Sequence, residues 1–198
     1  MARSGRQPVA LDAHAMDNLR YIRRAMERAG EFTAVPGLGG VLMGSIALAA
    51  AWLAQAQTTP AGWIAVWVLA AVAAVGVGAA AASWKSWRAG LPLFSGPGRK
   101  FMAGFTPAML AGGILTAALY HAHLCALLPG VWLLLYGTAV IAGGAASVKV
   151  VPLMGACFML AGAAALFARG ASPDVLLAAG FGGLHIVFGT IIAVKYGG

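Results

Sequence analysis

Apolar residues occupy six long stretches of this chain, at 37–54, 63–82, 105–124, 129–145, 151–168 and 175–194, and almost no charge falls inside them. Each comes close to the ~20 mostly apolar residues that a helix needs to cross a bilayer. The pattern predicts six transmembrane helices. Residues 11–32 follow a different rhythm. Leu11, Ala15, Leu19, Ile22, Met26 and Ala29 recur every three or four positions, while Arg20, Arg23, Arg24 and Arg28 lie off that stripe. This is the period of an amphipathic helix. Glu27 can pair with Arg23 or Arg24, and Asp17 with Arg20. Pro36 and Gly37 break the pattern before the first span.

The predicted fold is therefore an all-α membrane protein in which six transmembrane helices follow an amphipathic one. Residues 1–34 form an N-terminal segment and 35–198 the membrane domain. The segment Ala54-Gln55-Ala56 resembles a signal-peptidase site. The charged region before it is too long for a signal peptide, so the first span is read as a retained anchor.

Charge then orients the spans. Twelve of the thirteen basic residues fall in the N-terminal segment, in the connections after the second and fourth spans, and at the C-terminus; only Arg169 lies on the other side. Lys and Arg concentrate in cytoplasmic loops, so both termini are expected in the cytoplasm. Trp52, Trp63, Trp84, Trp87 and Trp132 sit near predicted span ends, where amphipathic rings favour the interface, with Trp67 one turn deeper.

Composition supports this class. Charged residues make up 9% of the chain and mean hydropathy is +0.86, against about 25% charged in soluble domains. The net charge of +8 is thereby a matter of topology, and no nucleic-acid partner is expected. Membrane lipid is the expected neighbour of the arginine face. A cytoplasmic protein or a second copy of the chain is the sharper alternative. Gly40 with Gly44, and Ala178 and Ala179 with Gly182 and Gly183, give small-residue faces for a tight bundle or a dimer seam. The first span opens Pro36-Gly37 with Leu42, Gly44 and Ser45; the fourth opens Pro129-Gly130 with Leu135, Gly137 and Thr138 at the same offsets, which would fit an inverted repeat.

Candidate chemistry is sparse. Asp12, Asp17, Glu27, Glu31 and Asp174 are the only acids, and none lies within a predicted span. That leaves His185, near the middle of the sixth span, as the intramembrane candidate. Its bland reading is a neutral imidazole bonded to a backbone carbonyl or to a Ser or Thr of a neighbouring helix. His121, His123 and Cys125 are metal-capable residue types, but on a helix only His121 and Cys125 share a face. No resident metal or cofactor is expected. No H-E-x-x-H, no G-x-S-x-G and no intramembrane acid pair occurs, so an enzyme is not expected.

The stretches NLRYIRRAMERAGEFTAVPGLGG, LLPGVWLLLYG and FGGLHIVFG resemble an uncharacterised family of small bacterial integral-membrane proteins, along nearly the whole chain. Members are often encoded beside a winged-helix regulator. The resemblance implies a multi-pass protein of the bacterial inner membrane and favours a regulatory role; it transfers no catalytic residue. The leading expectation is a non-enzymatic anchor, sensor or scaffold acting through Arg20, Ile22, Arg23, Arg24, Met26 and Arg28. The alternatives are a small transporter or channel using His185, and a metal- or quinone-associated subunit.

Overall fold

A computed structural model describes residues 16, 18, 19, 21, 22, 35–88, 96–145, 147–168 and 170–196. The chain divides into two units, Met1–Glu31 and Phe32–Gly198. In the first, Met16, Asn18, Leu19, Tyr21 and Ile22 are helical and exposed. The rest of the stripe expected over 11–32, with Arg20, Arg23, Arg24, Met26 and Arg28, lies outside the described residues.

Among the described residues, the second unit holds six helices long and apolar enough to cross a membrane. They are α1 (Gly37–Ala54), α2 (Pro60–Arg88), α3 (Gly96–His121), α4 (Leu128–Gly144), α5 (Val150–Phe167) and α6 (Pro173–Tyr196). A 3-10 turn, Cys125–Leu127, leads into α4.

Three departures from the expected boundaries bear on the site. α2 continues past Ala82 to Arg88. Alanine is the best helix former, and Lys85 and Arg88 suit the negative end of the helix dipole, so nothing stops the helix at the end of the apolar run. α3 begins at Gly96 rather than Phe105. Pro97, which reads as a loop residue, stands in its first turn, where the missing N–H has no intrahelical partner to lose. Asp174, read as a loop residue, lies in the first turn of α6 and is 7% exposed.

Close backbone approach holds the bundle. A Cβ on Gly137 would lie 2.6 Å from the Gly155 carbonyl oxygen, and one on Gly155 would lie 2.7 Å from that of Gly137. Gly130 and Gly162 extend this α4–α5 seam by two turns. A second seam joins α1 to α6: Gly44 faces the Gly182 carbonyl, Gly40 faces Gly189, and Gly37 faces the Ala193 backbone. The small-residue faces of the first and sixth spans thus meet each other within one chain. α2 and α3 are the most exposed helices and do not pack along one another.

Side chains close the two ends. Lys85 Nζ donates to the Val35 carbonyl (3.1 Å) and the Tyr196 carbonyl (3.0 Å). The root of α1, the end of α2 and the end of α6 therefore share one end of the bundle. At the other end, Trp63 Nε1 and Trp67 Nε1 donate to Asp174 Oδ1 at 2.8 and 3.1 Å. Trp63 also stacks on Trp132 of α4, with centroids 5.4 Å apart and planes 6° apart.

Candidate functional site

Because α2 and α3 stand apart, a cleft of about 420 Å³ opens between them. This is within the ~300–1,000 Å³ typical of small-molecule sites. Val68, Val72, Val75 and Met109 line it while remaining exposed, so its mouth is on the apolar outer face of the bundle. Gly113 lines the α3 wall, and a Cβ there would meet nothing within 4 Å. The inner wall carries Tyr136 of α4 and His185 of α6.

Glycine in α6 shapes the histidine's setting. Ala178–Leu184 (AAGFGGL) is π-helical, and His185 is the first residue after it. π segments are rare, and glycines relax the crowding of so wide a turn. His185 is 4% exposed. It sits among Tyr136, Phe158 and Phe181, at centroid distances of 5.2, 5.1 and 6.2 Å. Phe158 is fully buried and meets Tyr136 edge-on at 4.8 Å.

Hydrogen bonding assigns the ring's neutral tautomer. His185 Nδ1 lies 2.8 Å from the Phe181 carbonyl oxygen. A carbonyl only accepts, so Nδ1 carries the proton. Nε2 is then an acceptor, and the Tyr136 hydroxyl, 2.7 Å away, donates to it. His185 meets a carbonyl of its own helix, as the bland reading expects, but its hydroxyl partner is a tyrosine rather than a Ser or Thr.

The other polar side chains of the wall are Trp67, Trp132 and Thr116. Trp67 Nε1 donates to Asp174. Trp132 Nε1 donates to Thr116 Oγ1 (2.8 Å), and that hydroxyl donates to the Gly112 carbonyl (2.7 Å). Every side-chain N–H and O–H of the wall therefore has an acceptor within the protein. The wall includes no Ser, Cys, Lys, Asp or Glu.

The HAHLC segment is built differently. His121 ends α3, and Cys125 opens the 3-10 turn. His123, between them, has φ 58°. Leu124 N–H donates to the Leu119 carbonyl and His123 N–H to the Tyr120 carbonyl. This is a Schellman cap with histidine where glycine is usual. Among the described residues, no three of His, Cys, Asp and Glu converge as metal ligands. The left-handed backbone makes His123→Gly an expected stabilising change, by about 1 kcal/mol, since a Cβ costs roughly that much there. Thermal unfolding in detergent checks it; a fall in stability would assign the imidazole a contact role.

Tyr136 and Asp174 are the residues that sequence reasoning passes over. Comparison of the chain with protein-family models, with curated proteins and with solved structures gives no match.

Proposed function

We propose that this is a non-enzymatic membrane sensor: it takes an apolar molecule from the bilayer into the cleft between α2 and α3 and passes occupancy to its N-terminal segment. The observation that carries this reading is the cleft itself, open on the apolar face and floored by a buried histidine hydrogen-bonded to a half-buried tyrosine. The route to the output is Lys85. Its helix forms one wall of the cleft, and its ammonium holds the Val35 carbonyl, where the N-terminal segment joins α1. A ligand that moves α2 would move that root.

The distribution of Lys and Arg supports a multi-pass arrangement with both termini cytoplasmic. The resemblance described above supports the bacterial inner membrane. Arg20, Arg23, Arg24 and Arg28, with Ile22 and Met26, would then present the output to anionic lipid or to a cytoplasmic protein.

Filling the cleft tests the reading. Gly113→Leu adds a side chain where a Cβ meets only open space, so folding should survive. We expect native mass spectrometry of gently extracted protein to find an apolar small molecule on the wild type. Its occupancy on the variant should fall about tenfold, the scale of a steric penalty of ~1.4 kcal/mol. Equal occupancy on both proteins, or a wild type that carries nothing, would sink the proposal.

A further inference from the structure

We infer that the cleft selects an apolar molecule bearing a hydroxyl group, such as a long-chain or isoprenoid alcohol, over the same molecule with that hydroxyl capped. This rests on the cleft being a binding site, and it follows from counting hydrogens along the wall.

Five wall side chains carry N–H or O–H groups, and all of those groups are spent. Tyr136 donates to His185 Nε2, His185 Nδ1 to the Phe181 carbonyl, and Trp67 to Asp174. Trp132 donates to Thr116, and Thr116 to the Gly112 carbonyl. What remains on these side chains is acceptor capacity: a hydroxyl oxygen has two lone pairs, and at Tyr136 the bond to His185 uses the hydrogen instead. An ether or ester oxygen brought to this floor finds no free donor unless an internal bond breaks. A hydroxyl finds an acceptor at once. In so apolar a setting an unmet polar group is costly, so the difference decides which molecule stays.

His185 is therefore a specificity-determining residue that acts through Tyr136. By accepting the phenol's hydrogen, it leaves the hydroxyl with acceptor capacity alone for a ligand. Removing the imidazole frees that hydrogen, and the tyrosine can then donate to a ligand. The expected signature of His185→Phe is a loss of discrimination, with the capped ligand gaining on the alcohol.

The experiment uses the full-length protein in phosphatidylcholine vesicles with two photoactivatable probes, a long-chain diazirine alcohol and its methyl ether. Labelling is mapped by peptide mass spectrometry. At equal concentration the alcohol should label cleft peptides of α2 and α3 about five- to tenfold more than the ether, the range one net hydrogen bond supplies. The ratio should fall to about one in His185→Phe. Equal labelling of the wild type by both probes, sensitive to Gly113→Leu, overturns the selectivity and leaves the cleft reading standing. No cleft labelling by either probe overturns both. An unchanged ratio in His185→Phe overturns the role given to the imidazole. Should that variant fail to fold, the wild-type ratio alone still decides the selectivity.

Discussion

Asp174→Leu is expected to destabilise the bundle by about 2–5 kcal/mol. One carboxylate oxygen accepts both indole N–H groups of Trp63 and Trp67, and Asp174 as a whole residue is 7% exposed. Leucine removes the acceptor and leaves two donors stranded, each costing about 1–3 kcal/mol where water cannot replace it. The loss reaches beyond the pair, because Trp63 stacks on Trp132 and thereby ties α2 to α4. Asp174→Asn keeps a carbonyl oxygen in the same place and should cost about 1 kcal/mol or less, the difference between a charged and a neutral acceptor. Equilibrium unfolding in mixed micelles separates the two. If the leucine and asparagine variants are equally stable, the indole bonds contribute nothing and α2 is held by packing alone.

The second large effect is expected at the α4–α5 seam. Gly155→Ala puts a methyl group 2.7 Å from the Gly137 carbonyl oxygen, and Gly137→Ala puts one 2.6 Å from that of Gly155. Neither obstacle is a side chain that can rotate away. The helices must part by several tenths of an ångström, and overpacking of this kind costs about 1–3 kcal/mol. Phe158 lies one turn beyond Gly155, and Tyr136 adjoins Gly137. The same displacement should loosen the aromatic setting of His185, so ligand retention should fall along with stability. Gly183→Ala is the control, because a Cβ there meets nothing within 4 Å; it should be neutral. An unfolding curve for Gly155→Ala that overlays the wild type would mean that the seam is slack.

These expectations show what could be read from the residues and what could not. Six helices long and apolar enough to cross a membrane were legible because length and hydropathy are local properties, and each helix carries them by itself. The identity of the seam partners was not. The matched offsets of Pro36-Gly37 with Gly44 and Pro129-Gly130 with Gly137 do mark corresponding roles. Both spans put these glycines on a seam, and Ser45 and Thr138 each bond back to the carbonyl four residues earlier. Their partners are α6 and α5 respectively, which one sequence cannot foresee.

His185 stood out as the histidine in mid-span. Its partner did not, because Tyr136 is 49 positions away in an unremarkable apolar run. Asp174 was hidden by its place one residue before a hydrophobic stretch, where charge normally marks a loop. Its role depends on two tryptophans more than a hundred positions upstream. The π-helical turn left a compositional trace in AAGFGGL, but glycine is common throughout the chain and the trace does not single it out.

The bond between Asp174 and the two tryptophans also bears on how the chain is made. Trp63 and Trp67 leave the ribosome 111 and 107 positions before their acceptor. Until α6 has been made, the Trp63 and Trp67 indoles lack the acceptor they use in the folded bundle. This end of the bundle therefore closes only after α6 has been made. A nascent chain stopped before Asp174 leaves two indole N–H groups without the acceptor that the folded bundle gives them.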